Sequence, residues 1–96
     1  MTIIPMKPNT FSLEEVSYHN DASSCWIVIQ DKVYDLTNFL YEHPGGLEII
    51  LEHAGMDATT VFHDIGHSTE AKKILSKYFI GELRETDRIY NDKPKP

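Results

Sequence analysis

The sequence predicts an α+β fold with a few β-strands and several short helices. Two β-rich runs, Trp26–Ile29 and Val33–Leu36, are separated by three polar residues, which is typical of a β-hairpin. A third run, Phe79–Leu83, predicts a closing strand. Between the hairpin and this strand, the apolar residues of Thr69–Tyr78 recur at helical spacing. Strands therefore flank a helical region in the chain.

Residues with short polar side chains mark the starts of two early helices. Ser12 followed by Glu15 has the form of a capping box, which predicts a short helix to about residue 18. Residues 20–24 are rich in Asn, Asp and Ser and predict a loop. Thr37 is expected to cap a brief helix after the hairpin.

The middle of the chain predicts a helical hairpin. Leu47–His53 forms a two-turn helix that Gly55 stops, and Asp57 is the N-cap of the next helix. Gly66 ends this second helix, and Ser68 caps the helix that follows.

Length and charge exclude several classes of protein. Ninety-six residues correspond to one domain. A formal net charge of −6 argues against nucleic-acid binding and against an anionic membrane surface, and favours basic partners. The sequence contains no signal peptide and no membrane segment, so we expect a soluble, cytoplasmic monomer. The single cysteine, Cys25, fits a reducing compartment and is expected to be buried beside Trp26.

Histidine is concentrated in one stretch that contains His43, His53, His63 and His67. His43 precedes Pro44 to Gly46, which predicts a turn with an exposed backbone. His43 and His67 are twenty-four positions apart, each on a loop, with the predicted helical hairpin between them.

The helical hairpin can place these two imidazoles on opposite sides of a slot, because a helix of this length advances only about 10 Å. A flat apolar cavity with an imidazole on each face is what haem requires. An ordinary hydrophobic core is the alternative. The expected slot is lined by Phe39, Ile49, Ile50, Val61, Phe62, Ile65, Ile74 and Leu75.

Several motifs in register resemble the cytochrome b5 family. They are YEHPGG at 41–46, AGMDAT at 54–59 and DIGHS at 64–68, with Trp26 and VYDLTNFL upstream and FIGEL downstream. The resemblance covers roughly residues 9–84 and implies a small mixed β-sheet with short helices that form a haem pocket. Residues 1–8 are then an N-terminal extension, and 85–96 a polar C-terminal tail, with mobility expected from Arg84 onward.

The resemblance also implies the cofactor and its contacts. Haem b is expected to bind non-covalently, since the chain has no Cys-x-x-Cys-His motif. His43 and His67 would be the axial ligands, and Ser68 would donate a hydrogen bond to a propionate. The pocket residues implied by the family are Phe39 and Phe62 beside the ligands, with Ile49, Ile50, Ile74 and Leu75 as walls.

Other roles of the histidines are less favoured. His63 and His67 are four positions apart, as in some zinc sites, but Gly66 interrupts the helix and no third ligand is convincing. His53 and His63 are interpreted as solvated side chains and receive no ligand role.

Three positions depart from the family pattern. Leu47 stands where an acid is usual, Thr60 replaces a frequent Glu, and Tyr78 occupies a position usually held by Phe. These differences concern the partner surface and the edge of the pocket more than the ligands.

The resemblance implies a one-electron carrier that is not itself an enzyme, because two axial imidazoles leave the iron no vacant position. The implied donor is an NAD(P)H-dependent flavin reductase, and the acceptor a desaturase, another lipid-modifying oxidase or a cytochrome. The alternatives are a non-redox haem- or sterol-binding module and a carrier domain of a larger redox enzyme.

Acidic residues surround the expected pocket. Between residues 31 and 70 there are eight acids and one base, a net charge of −7. Such a run is most often a solvated surface, but here it matches a surface that steers basic redox partners. The acids expected at the partner surface are Glu42, Glu48, Glu52, Asp57 and Asp64.

Overall fold

The computed structural model describes residues 9–42, 47–65 and 69–90. The strands are β1 (Asn9–Phe11), β2 (Asn20–Asp21), β3 (Ser24–Ile29), β4 (Lys32–Asp35) and β5 (Phe79–Leu83). The helices are α1 (Leu13–Ser17), α2 (Thr37–Glu42), α3 (Leu47–Glu52), α4 (Thr59–Ile65) and α5 (Thr69–Ser76), and a 3₁₀ turn follows at Glu85–Asp87. The predicted features at Pro44 to Gly46, Gly66 and Ser68 lie outside the described residues.

The strands form one mixed sheet in the order β1-β5-β4-β3-β2. β1 runs parallel to β5, and the other neighbouring strands are antiparallel. A Cβ atom on Gly81 would collide with the carbonyl oxygen of Asn9, so glycine permits the close approach of β1 to β5. The α+β class and the mixed sheet are confirmed.

The hairpin of β3 and β4 is confirmed, with a turn of two residues. Gln30 and Asp31 have φ values of 51° and 67°, the left-handed conformation that matches the twist of adjacent antiparallel strands. Lys32, which was expected in the turn, belongs to β4 and lies opposite Ile29.

The sheet separates two buried clusters, because successive side chains of a strand point to opposite faces. The helix-side cluster consists of Cys25, Ile27, Ile29, Leu36, Leu40, Ala54 and Ala58. The α1-side cluster consists of Val16, Val28, Val33 and Leu83. Trp26 is half-buried and packs against the α1-side cluster, with its ring stacked on His19 at 3.6 Å between centroids.

Local capping explains two of the helix boundaries. The Ser12 hydroxyl accepts a hydrogen bond from the Glu15 N–H at 2.9 Å, which confirms the predicted start of α1. Asp57 accepts from the Thr59 N–H at 2.9 Å, as expected for the start of α4. Gly55, at φ +80°, follows the end of α3.

Two local predictions were wrong. Residues 20–24 are not a loop, since β2 pairs with the start of β3 and the Asp21 carboxylate accepts from the N–H groups of Ser23 and Ser24. Thr37 does not cap α2; its N–H donates to the Asp35 carboxylate at 3.1 Å, and its hydroxyl accepts from the Cys25 N–H. In both places an aspartate supplies the acceptor for the local turn.

The expectation of a mobile tail was wrong for residues 84–90. The Arg84 N–H donates to the Phe11 carbonyl at 2.8 Å, and Asp87 accepts from the Leu13 N–H at 2.9 Å. The fully buried Asp31 carboxylate accepts from Ile89 N–H at 2.9 Å and Tyr90 N–H at 2.7 Å. The hairpin turn therefore binds the end of the described chain.

Among the described residues, none of the helices combines the length and the apolar character that crossing a bilayer requires.

Replacing Asp31 with Asn tests the contact between the turn and the tail. Asn tolerates a positive φ but offers one acceptor oxygen where the structure uses two, so one buried N–H loses its partner. We expect a loss of about 1–3 kcal/mol in the free energy of unfolding, measured by urea denaturation, and faster hydrogen exchange at Ile89 and Tyr90. Glu85→Gln, an exposed change in the same segment, should stay within about 0.5 kcal/mol. Wild-type stability of Asp31→Asn would contradict this role.

Burial of Cys25 predicts a loss of stability in alkali. Burial, with smaller contributions from the charges of Asp35 and Asp21, raises the pKa of its thiol from 9.0 to about 11. The neutral thiol therefore stabilises the fold fully below pH 9, and this contribution is lost as the pH rises toward 11.

The measurement is the free energy of unfolding across this pH range for wild type and Cys25→Ala. We expect wild type to lose up to roughly 2–3 kcal/mol more than the variant. Tyr34, whose pKa burial also raises, is present in both proteins and cancels. Equal slopes with pH would show that the thiol does not ionise on unfolding in this range.

Candidate functional site

Apolar side chains from α2, α3, α4 and α5 meet on one face of the sheet. Phe39, Ile50, Phe62 and Leu75, one from each helix, all pack against the helix-side cluster. The structure therefore brings together four of the residues predicted to line the slot. Ile49 is 45% exposed, more than any of these four. Val61 and Ile74 are half-buried, and the side chain of Ile65 lies outside the described part.

These four side chains are only partly buried, although they lie over a buried cluster. The α1-side cluster on the other face has core members that expose at most 1% of their surface, and three partly buried side chains, Phe11, Trp26 and Ile80, pack against it. Burying a large apolar side chain stabilises a fold by about 1.5–3 kcal/mol relative to exposing it, so the helical face has apolar surface left to cover. A flat apolar group fits this arrangement.

Three further side chains belong to this face, Tyr34, Leu51 and Tyr78, and none was predicted as a site residue. Leu51 packs against the helix-side cluster, and so does Tyr78, whose ring meets Phe39 edge-on at 5.5 Å between centroids. The signal for Tyr78 was present, because it falls at helical spacing from Ile74 and Leu75. Leu51 follows two isoleucines, and such a run does not reveal which member faces inward.

The segment between α3 and α4 is hydrogen-bonded to the outer edge of β3. The Gly55 N–H donates to the Trp26 carbonyl at 2.6 Å, and the Ala58 N–H donates to the Val28 carbonyl at 2.7 Å. In return, the Val28 N–H donates to the Met56 carbonyl at 3.1 Å. This pairing fixes where α3 ends and α4 begins relative to the sheet.

The two predicted ligands, His43 and His67, lie outside the described residues, as does Ser68. In the chain, His43 directly follows α2, and His67 falls between α4 and α5. The helices that carry Phe39, Phe62 and Leu75 are thus the ones that adjoin the two histidines in sequence. Neutral imidazole nitrogen is a usual axial ligand of haem iron, so the donor type also fits.

The other histidines have different surroundings. His53, just after α3, donates from Nδ1 to the Ile49 carbonyl of that helix at 3.0 Å, and His63 is exposed beside Phe62. His19 stacks on Trp26, and its Nδ1 lies 2.7 Å from the Ser24 hydroxyl. Within the described ranges, no three His, Cys, Asp or Glu side chains form a group that could hold a metal ion.

The predicted acidic surface is described in part. Glu48 and Glu52 on α3 are exposed, as expected of a partner surface. Asp57 is half-buried and its carboxylate is occupied as the cap of α4, so its role in the structure is to begin that helix. Nothing is described for the side chains of Glu42 and Asp64.

The comparison with known proteins agrees with the resemblance found in the sequence. The model of the cytochrome b5-like heme/steroid binding domain matches residues 12–84. Cytochrome b5 of Rattus norvegicus is 51% identical over 84 residues, which are 88% of this chain and 63% of that protein. Cytochrome b5 of Rhizopus stolonifer is 52% identical over 83 residues, 86% of this chain and 63% of that protein. The match thus takes in less than two thirds of each relative.

Solved structures share the fold. Cytochrome b558 of Ectothiorhodospira vacuolata, described as a prokaryotic homologue of cytochrome b5, superposes with a TM-score of 0.73 at 36% identity, over 80% of this chain and 100% of that one. Cytochrome b5 of Ostreococcus tauri virus 2 gives a TM-score of 0.67 at 41% identity, over 77% and 95%. The sequence motifs, the sheet order and these matches agree, and the chain belongs to the cytochrome b5 family.

Proposed function

We propose that this chain is a one-electron carrier that binds haem b non-covalently, with His43 and His67 as the axial ligands. The observation that carries the proposal is the incompletely buried apolar face formed by Phe39, Phe62 and Leu75 together with Ile50. This face is built by the helices that adjoin both histidines in the chain. Membership of the cytochrome b5 family supports the same cofactor.

Each part of the proposed site has a separate task. His43 and His67 would each hold the iron through one imidazole nitrogen, and Ser68 would donate a hydrogen bond to a propionate. Phe39, Ile50, Phe62 and Leu75 exclude water from the faces of the macrocycle and gain burial in doing so. When bound, haem supplies an iron that alternates between the ferric and ferrous states.

The ligand set excludes a substrate from the metal. With His43 and His67 both holding the iron, oxygen, peroxide or an organic substrate would have no site at which to coordinate. The chain then transforms no substrate itself. We propose residues 9–84 as the carrier domain and a cytoplasmic location.

The proposed partners are an NAD(P)H-dependent flavin reductase as the donor and a desaturase, another lipid-modifying oxidase or a cytochrome as the acceptor. The exposed carboxylates of Glu48 and Glu52 lie on α3 next to the apolar face, where they can steer a basic partner by long-range attraction. Their task is to orient the encounter.

Ligand assignment is tested by four alanine variants reconstituted with haem. His43→Ala and His67→Ala each remove a ligand, and we expect haem affinity to fall by about 100-fold or more, since even groups that only orient a ligating histidine are worth about 10–100-fold. The six-coordinate, low-spin visible spectrum should be lost in both. His53→Ala and His63→Ala are the controls and should keep it.

Two other results would change the assignment of the ligands or of the function. Loss of the low-spin spectrum in either control would mean that the wrong pair was chosen. Steroid binding that survives in both His43→Ala and His67→Ala, together with no haem binding by wild type, would favour a sterol-binding module.

The acidic surface is tested by the double change Glu48→Lys with Glu52→Lys. With a basic c-type cytochrome as the acceptor, we expect the second-order rate of electron transfer to fall about tenfold or more at low ionic strength. The difference should shrink above about 0.15 M salt, where the Debye length is about 8 Å. Stopped-flow absorbance gives the rates.

The matched control carries the same charge change away from α3. Glu15→Lys with Glu85→Lys alters two exposed acids on α1 and on the 3₁₀ turn. If this control slows the reaction as much as the α3 variant, net charge and not the α3 surface is responsible.

A further inference from the structure

The solvent-facing side of α5 is basic, although the chain as a whole is acidic. Lys72 and Lys73 on α5 and Lys77 in the turn directly after it are all exposed, and they are three of the nine basic residues of the protein, placed within six consecutive positions. On the same helix, Ile74 and Leu75 are half-buried, and Leu75 packs against the helix-side cluster. One helix therefore contributes to the proposed pocket and also presents a positive surface, which we call the α5 lysine surface (Lys72, Lys73 and Lys77).

No acidic side chain among the described residues forms an ion pair with the α5 lysine surface. The ion pairs in the described part of the chain join Arg84 to Asp87 and Arg88 to Glu82. Lys73 and Lys77 lie four positions apart, with Lys77 in the turn directly after α5. Their positive charge is therefore available to a partner.

The opposite charge is exposed by another helix of the same apolar face. α3 packs through Ile50 against the helix-side cluster and exposes Glu48 and Glu52, whereas α5 packs through Leu75 and exposes lysines. A protein that docks on α3 meets negative charge, and one that docks on α5 meets positive charge. Like charges across an interface repel each other, so the two helices favour different partners.

We propose that the α5 lysine surface is a second docking site, and that it takes an acidic electron-transfer protein. The inference rests on the proposed function, because a carrier must meet a donor and an acceptor in turn. Oppositely charged sides allow the two encounters to use different surfaces of one small domain. The acidic partner is recognised by its carboxylates, which complement the three ammonium groups.

An anionic membrane would also attract lysines, but the charge distribution favours a protein. A bilayer is an extended negative surface, and the net charge of −6 opposes its approach. The exposed acids of α3 would be repelled by the same surface. A protein partner of limited area can contact α5 without facing α3.

The probe is a reduced plant-type ferredoxin, an acidic one-electron donor, mixed with the ferric haem-loaded chain. One electron leaves the iron–sulfur cluster, which becomes oxidised, and the haem iron that receives it becomes ferrous. Lys73→Glu should lower the second-order rate about threefold at low ionic strength, and Lys73→Glu with Lys77→Glu about tenfold. Isothermal titration calorimetry with oxidised ferredoxin should show weaker binding in the same order.

Lys32→Glu is the matched control, since Lys32 is exposed on β4 and its reversal changes the net charge by the same amount as Lys73→Glu. We expect the control to stay within about twofold of wild type in rate and affinity. Circular dichroism and the haem spectrum confirm that each variant is folded and loaded. Equal effects of Lys32→Glu and Lys73→Glu, or no effect of either, would overturn the proposal.

Two further measurements separate the remaining outcomes. Sedimentation with phosphatidylserine vesicles that depends on Lys73, without an effect of Lys73→Glu on ferredoxin, would overturn the proposal in favour of a membrane surface. Another outcome is that the chain exchanges electrons with the basic cytochrome while substitution of Lys73 and Lys77 leaves its rate with ferredoxin unchanged. In that case the inference fails and the proposed function stands. If wild type binds no haem, the proposed function itself fails.

Discussion

The backbone pairing between residues 55–59 and the outer edge of β3 controls the geometry of the helical face. α3 ends just before this segment and α4 begins within it, so both helices take their positions from hydrogen bonds to Trp26 and Val28. Backbone groups buried at such an edge need partners, and here the chain supplies them without a sixth strand. The walls of the proposed pocket are therefore fixed to the sheet independently of any contact between the helices. A bound group can enter a site whose spacing is already set.

The two faces of the sheet carry clusters of different size and exposure. The α1-side cluster is small and fully buried, and it contains aliphatic side chains from α1, β3, β4 and β5. The helix-side cluster is larger and carries a layer of partly exposed aromatic and aliphatic side chains above it. Among the described residues, three partly buried side chains pack against the α1-side cluster, whereas seven pack against the helix-side cluster and retain apolar surface that a ligand can bury. The larger surface for binding thus lies on the helix side of the sheet.

Local chemistry predicted much of the fold, and distant contacts account for what it missed. Ser12, Asp57 and Gly55 act on residues within a turn of themselves, and each behaved as its sequence pattern predicts. β1 was missed because three residues become a strand only beside β5, about seventy positions away. The order of residues 84–90 was missed because it depends on Asp31, which is 58 positions from Ile89. For the candidate site, helical spacing identified Leu75, but the exposure of the α5 lysines and the half-burial of Asp57, which was expected at the partner surface, depend on the folded arrangement of the chain.

The Asp31 turn has a consequence for attempts to insert foreign sequence into this domain. Two-residue hairpin turns are usually exposed, and exposed loop tips are the places where labels, tags and whole domains are accepted. Here the turn residue is fully buried, and its carboxylate holds two backbone N–H groups of the C-terminal segment. An insertion between Gln30 and Asp31 would disrupt the pairing of β3 with β4. It would also disrupt the hydrogen bonds that the Asp31 carboxylate accepts from the C-terminal segment.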